Sequence, residues 1–377
     1  MKDSKCFISI PEFNKKTNFW MVRAKKGFFF DEFVKEGYIA IGWNAITKSM
    51  IGDHISKGQY TYLKKLTKEI YNEQKPGTAV NKCVRFCNEL NEGDIAVVVD
   101  NQRVAFATIG AYYESEDKSL TVELEKQVHE DIEKAKLHRD YFRCPYVKRR
   151  KIEIIRVLDE GDTISPYLQS AMARNWHSLS DMNEYAELIL SACFDAFVYE
   201  KKLVATFRVE KKGDINVLDL SDFVLNSAML ITNNNPQRAS VKTTLHSPGD
   251  IILQFVDFVK DNVFWLGLCY IAIFGGKVGD YEFNSLIGIV KELINREHNR
   301  KKQDLELRKL EAETKCAEED AIAKELDNLE RKRALDLEMS EKCIVPLVNS
   351  AKRLQLHPSK TTALDVSTII ENHSNNE

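Results

Sequence analysis

No charge of one sign dominates this sequence. Its 54 lysines and arginines stand against 57 aspartates and glutamates, leaving −3 over 377 residues. That excludes the molecule-wide cationic field that would by itself argue for nucleic acid, so any basic surface must be local. A disulfide framework is missing too: eight scattered cysteines read as reduced intracellular thiols. The opening MKDSKCFISIPEF is polar and lacks the apolar core of a secretory leader, so the cytoplasm is the expected compartment. The most hydrophobic segment, VFWLGLCYIAIFGG from Val263 to Gly276, is shorter than the roughly 20 residues a membrane-spanning helix needs. It reads as a buried core helix, with membrane insertion as the alternative.

Proline is absent and glycine confined to Gly288 between Phe283 and Lys342, where glutamate, lysine, leucine and alanine dominate. One long helix is expected there. Leu305, Leu310, Ala317, Ile322, Leu326 and Leu329 keep no clean heptad, which fits either a solvated stalk or a loose coiled coil that joins copies of the chain. Pro346 is expected to end or kink it, and the last residues, ENHSNNE, to be disordered.

The first half has a different pattern. YIAIGW and DIAVVVD are apolar runs of strand length, each after a glycine-containing turn. RVAFATIGAYY is the expected hairpin partner of DIAVVVD across Asn101-Gln102. DEFVKEG has the spacing of a short helix with Phe30, Phe33 and Val34 on one face. KRRKIEIIRVL reads as a strand, and SPYLQSAMARNW as a helix with Pro166 in its first turn. These elements fit a small closed barrel, with a boundary near residues 180–195. Beyond it, KKLVATFRVEKKGDINVLDLSDF reads as two strands about a Lys-Gly-Asp turn.

A nucleobase pocket needs a flat stacking surface, polar groups for the base edge and cations for phosphate. Trp20, Trp43, Phe86, Tyr112 and Tyr113, with Arg23, Lys25, Lys26, Arg85 and Arg103, supply those ingredients. On composition alone core packing is the better explanation for Trp43 and an equally good one for Trp20.

The ordered set Trp-Met-Val-Arg-Ala at 20–24, Ile-Gly-Trp at 41–43, Gly-Asp at 93–94 and His-Arg at 138–139 resembles the PUA-like (EVE-type) domain at the N-terminus of modification-dependent restriction and other phage-defence proteins. The likeness covers about residues 17–190. It implies a small β-barrel that binds nucleic acid, DNA before RNA, often taking a modified base into a cavity. By position it implies Trp20, Arg23 and Trp43 as pocket or rim residues, with Arg85, Phe86 and Arg139 as nearby contacts. KIEIIRV carries no tryptophan where the family has one after its His-Arg motif.

The expected architecture is therefore α+β: a PUA-like domain over residues 1–190, a second α+β domain with an apolar helix over 191–282, a long charged helix over 283–345 and a tail over 346–377. The expected function is a non-enzymatic reader of nucleic acid in antiviral defence, with self-association through the C-terminal helices. The alternatives are a metal-dependent nuclease and a nucleotide sensor that acts on a membrane. For a nuclease, Glu210 and Lys212 with Asp195 or Asp214 would have to converge on magnesium; a charged hairpin tip explains the same residues. GGKVGD at 275–280 lacks the spacing of a phosphate loop and reads as a helix stop. Cys83, Cys87, His138 and Cys144 could in principle share zinc but read as buried thiols. HSPGD at 246–250 is a turn signature around His246. No cofactor or metal is expected.

Overall fold

The computed structural model describes residues 10–357 apart from 101, 136–141, 160–163, 176, 233–234, 244–248, 256–264, 268, 271–272, 274–276, 279–280, 283–294, 296–297 and 307–315. The fold is α+β, with an N-terminal curled sheet and a long C-terminal helix. The chain divides into two compact units, residues 14–193 and the segments on either side of them. The first strand, β1 (Glu12–Phe13), therefore belongs with the C-terminal half: it pairs in parallel with β8 (Ala196–Tyr199), Glu12 opposite Val198. The expected unit over 1–190 thus begins thirteen residues later and ends three later.

Residues 14–193 are organised around a six-stranded sheet in the order β3-β6-β5-β4-β2-β7. Its strands are β2 (Phe19–Arg23), β3 (Tyr38–Ile41), β4 (Ile95–Val99), β5 (Val104–Glu114), β6 (Lys148–Leu158) and β7 (Leu179–Asp181). β4 and β5 form the expected hairpin, Val99 opposite Val104, and β2 runs parallel to β4. The sheet curls into half a barrel whose edge strands are β3 and β7. Small residues let it curl around large ones: Ala96, Ala105 and Ala107 share one core with Trp20, Phe29, Phe33 and Phe86.

Helices α1 (Phe30–Glu36), α2 (Lys48–Ile51), α3 (Lys57–Tyr71), α4 (Pro76–Val84), α5 (Val122–Lys134), α6 (Pro166–Arg174) and α7 (Ala186–Cys193) complete this unit. α1 buries Phe30 and Phe33 and stops at Gly37, whose φ of 68° is a conformation glycine adopts without a Cβ penalty. α3 opens on a capping box of Ser56 and Gln59. α4 continues into a π-helical turn, Arg85–Glu89, whose carbonyls at Phe86 and Cys87 accept from the buried Arg150 guanidinium at 2.9 and 3.2 Å.

In the second unit β8, β9 (Lys202–Val209), α8 (Val217–Ile231), β10 (Ala239–Thr243) and β11 (Gly249–Phe255) follow in order. The sheet order is β1-β8-β9-β11-β10, and β14 (Leu356–His357) also pairs with β9. INVLDLSDF is thus the start of a helix rather than a strand. Asn216 caps it, its side chain accepting from the Leu218 amide at 2.8 Å, and Asp219 lies in the first turn. Trp265, Leu266, Cys269 and Tyr270 from the apolar segment are helical and buried in this core. Among the described residues no helix is long and apolar enough to cross a membrane. In GGKVGD, Lys277 and Val278 (β12) pair with Glu282 and Tyr281 (β13), so a strand pair follows instead of a new helix; residues 275, 276, 279 and 280 of this stretch lie outside the described residues.

The expected single helix over 283–345 folds back instead. Helical residues 298–306 run antiparallel to α9 (Cys316–Arg353), with His298 on Asp336 at 3.1 Å, Lys302 on Glu330 at 2.8 Å and Arg333 on Asn295 at 2.9 Å. α9 also runs through Pro346 to Arg353 rather than ending there. A proline inside a helix costs about 3 kcal/mol, and burial of Ile344, Leu347, Val348 and Ala351 in the core offsets it. Residues 346–357 are consequently part of the packed unit; 358–377, with ENHSNNE, lie outside the described residues.

Candidate functional site

The two candidate tryptophans, Trp20 and Trp43, have different surroundings. Trp20 is 4% exposed, and its indole N–H donates to Asp94 at 3.0 Å. Asp94, after the left-handed Gly93, also accepts from the amides of Asn18 and Asn91, each at 2.9 Å. The Gly-Asp motif is therefore an anchor for the start of β2. The Arg85 guanidinium lies 5.5 Å from the Trp20 ring centre and pairs with Glu89 at 3.0 Å.

Arg23 does not share that environment. Three residues apart on a strand, Trp20 and Arg23 point to opposite faces of the sheet. The Arg23 side chain donates to the Met172 carbonyl at 2.6 Å and the Asn175 carbonyl at 2.9 Å, closing the C-terminal end of α6. Phe86 is fully buried and stands edge-on to Tyr112. Arg139, like His138, lies outside the described residues.

Trp43 is only partly buried and has a backbone φ of 61°, the left-handed region that costs a non-glycine residue about 1–2 kcal/mol. The surroundings hold it there. Glu125, 1% exposed, accepts from the Trp43 amide at 2.6 Å, the Asn44 amide at 2.9 Å and the Tyr71 hydroxyl at 2.8 Å. The buried Lys148 ammonium donates to the carbonyls of Trp43 and Ile46 at 2.7 and 2.8 Å. The Asn44 amide group donates to the Pro145 carbonyl at 2.8 Å. Gly42 is needed beside this turn, because a Cβ there would come within 2.7 Å of Glu125 Oε1 and 3.1 Å of the Tyr146 ring.

The ring of Trp43 carries a carboxylate and a cation, as that of Trp20 does, but it is only partly buried. Its N–H donates to Glu73 Oε1 at 3.0 Å, and the Lys82 ammonium stands 5.5 Å from the ring centre. Burial pulls the Lys82 pKa down, with Glu73 opposing. A second left-handed turn lies nearby: Lys25, Lys26 and Gly27 have φ of 46°, 56° and 90° in succession. Lys26 pairs with Glu133 at 2.8 Å. Burial lowers the Lys25 pKa, while the charges of Glu133, Glu125 and Glu73 act against it, which puts this ammonium among those three carboxylates.

α5 organises both turns. Glu125, His129 and Glu133 recur every four residues and so share one face. His129 Nε2 is 2.8 Å from the Tyr146 hydroxyl, and burial, with Lys25 adding, lowers its pKa from 6.5 to about 4. It stays neutral at physiological pH. Lys126 on the same helix stands 5.9 Å from the Tyr71 ring centre. The result is one strip with an indole, a phenol and the lysines 25, 26, 82 and 126. Backbone strain concentrated at three non-glycine positions within such a strip marks it as the candidate site.

The other expectations disperse. Among the described residues no three metal-ligating side chains converge. Cys83 and Cys87 belong to one buried cluster and Cys144 to another, and His246 lies outside the described residues. Glu210, Lys212 and Asp214 are exposed beyond the end of β9. Asp195 is buried against Arg208 at 3.4 Å, and its carbonyl accepts from the Thr206 amide, four residues before Glu210. That is roughly 13 Å along a strand, too far to share a metal with Glu210.

The profile of a domain of unknown function (DUF8426) matches residues 20–121, from Trp20 on β2 to the residue that caps α5. No curated protein and no solved structure matches the chain.

Proposed function

We propose that residues 14–193 read nucleic acid in the manner of the PUA-like (EVE-type) domains they resemble, with Trp43 rather than Trp20 as the stacking surface. A base, modified or plain, lies on the indole, and Lys25, Lys26, Lys82 and Lys126 meet the flanking phosphates. The observation that carries this reading is the Trp43 turn. Its ring is partly open, its N–H is fixed by Glu73, and its strained backbone is pinned by Glu125 and Lys148.

Lys82 gives the exchange a mechanism. A lysine over an exposed ring gains about 0.5–1 kcal/mol, whereas a stacked base gains about 1–3 kcal/mol. An arriving base therefore displaces the flexible ammonium, which swings to the adjacent phosphate. The setting that the resemblance suggests is cytoplasmic antiviral defence.

The test is a binding panel on the full chain with plain and cytosine-modified DNA, single- and double-stranded, and with RNA, across a salt series. Trp43→Ala should weaken binding by about 10–100-fold. Lys82→Ala should lower the salt slope by nearly one counterion. If none of these nucleic acids binds, the reading falls.

A further inference from the structure

The near-neutral charge of the whole chain hides a local excess. α3 carries Lys57, Lys64, Lys65 and Lys68 against the single acid Glu69. Residues four, seven and eleven along a helix return to one line, so Lys57, Thr61, Lys64 and Lys68 form a stripe, turned away from the buried Leu63 and Thr67. Lys57, Thr61 and Lys68 are exposed and Lys64 partly so. Glu69 lies beside this line and is taken by Lys65 at 3.8 Å.

Nothing on the helix neutralises the stripe. Lys134 and Lys342 each have a glutamate four residues before them, at 3.8 and 2.7 Å. Four residues to either side, Lys64 instead has Tyr60 and Lys68, and Lys68 has Lys64 and Asn72. Among the described residues no carboxylate pairs with Lys57, Lys64 or Lys68. Like charges four apart destabilise a helix, and an anion lying across Lys64 and Lys68 relieves that repulsion. Lys64 is held in place for it. Its ammonium stands 5.4 Å from the Tyr60 ring centre, and its stem passes Gly77, where a Cβ would come within 3.5 Å of Lys64 Cδ and 3.1 Å of the Tyr60 hydroxyl.

The stripe leads to the candidate site. Tyr71, three residues after Lys68 and so on the same side of the helix, donates its hydroxyl to Glu125 at 2.8 Å. Asn72 then turns left-handed, with φ of 52°, and Glu73 takes the Trp43 indole N–H.

We infer that α3 is the track for the phosphates that flank the base on Trp43, with Lys68, Lys64 and Lys57 meeting successive parts of one strand as it leaves the site. Lys57 and Lys68 are about 16 Å apart along the axis, the rise of about five nucleotides at roughly 3.4 Å each. A line of cations one residue wide fits a linear polyanion rather than the plane of a membrane. The inference rests on the reading of Trp43 as the stacking surface and extends it from one base to a strand.

The test repeats the salt series on the full chain with Lys57→Gln and Lys68→Gln together. The slope of log affinity against log salt should fall by about 1.8 on duplex DNA or about 1.4 on a single strand. Lys57→Arg with Lys68→Arg should keep the parent slope, and unchanged helical circular dichroism separates lost contacts from lost structure. An unchanged slope in the glutamine variant, where Trp43→Ala still weakens binding, would overturn the track and leave the reading of Trp43 standing. A reduced slope with Trp43→Ala without effect would uphold the track and remove the stacking surface. A parent chain that binds no nucleic acid overturns both. Glutamine changes that release the chain from phosphatidylserine vesicles but leave nucleic-acid binding unmoved would assign the stripe to lipid and overturn the inference.

Discussion

Replacing Glu125 with glutamine removes one charge and one acceptor from the turn that carries Trp43. The carboxylate takes three hydrogen bonds, Oε1 from the Trp43 amide and Oε2 from the Asn44 amide and the Tyr71 hydroxyl. A glutamine that keeps its oxygen on the Trp43 side turns an NH2 towards Asn44. The Tyr71 hydroxyl can rotate to accept from it; the Asn44 amide cannot. Losing one bond to a charged acceptor costs about 1.5–3 kcal/mol, and the Trp43 bond weakens to a neutral one, a further ~1 kcal/mol. The sum is about 3 kcal/mol. With a urea m-value of about 2 kcal/mol/M, the unfolding midpoint of this unit, followed by tryptophan emission, should drop by about 1.5 M. Nucleic-acid affinity should fall with it even in the absence of urea, because the left-handed turn loses its restraint. A stability change below about 0.5 kcal/mol, the level of an ordinary surface substitution, would refute the view that Glu125 holds the site.

Arg23→Met should lower stability by about 2 kcal/mol through the lost bonds to the end of α6, yet leave nucleic-acid binding unchanged; equilibrium unfolding and the binding panel separate the two. His129 ties stability to pH. Its folded pKa, about 4, lies below the unfolded value, so the unfolded chain takes up the proton first, and stability present above pH 6.5 is lost as the pH falls towards 4. The urea midpoint should therefore fall more steeply over that interval in the parent chain than in His129→Gln. Burial pushes the Cys83 and Cys144 thiols up to about 12. Thiol reagents at pH 8 should leave both unlabelled until urea unfolds the chain, as mass spectrometry of the peptides would show.

Much of the curled sheet was legible because its strands are short apolar runs bounded by glycine turns, as in YIAIGW and DIAVVVD. β1 was not: two residues paired in parallel with a strand nearly two hundred positions away carry no local signal. INVLDLSDF misled because its alternating leucines mimic period two, although Asn216 and Asp219 were helix-start signals in plain view. The fold-back of the charged helix depends on polar contacts such as His298 on Asp336, which have no sequence period. At the site, the opposition of Trp20 and Arg23 was available from strand alternation. The left-handed Lys25, Lys26 and Trp43 were not, since only Gly27 hinted at unusual backbone. Glu125 sits on an otherwise charged, unremarkable helix, and no spacing distinguishes it from its neighbours.

The pairing of β1 with β8 also imposes a schedule on synthesis. Glu12 and Phe13 leave the ribosome early, but their partners emerge only after the whole of residues 14–193 has followed. At about 5–20 residues per second that interval is on the order of ten seconds or more, long compared with the folding of a single domain. The inserted unit can thus be complete before the sheet that frames it can close. The Phe13 ring, 5.5 Å from that of Phe194, then brings the two ends of the insertion together. A change at Glu12 or Phe13 would accordingly be felt first in the unit built after residues 14–193 rather than in the one that directly follows these residues in the chain.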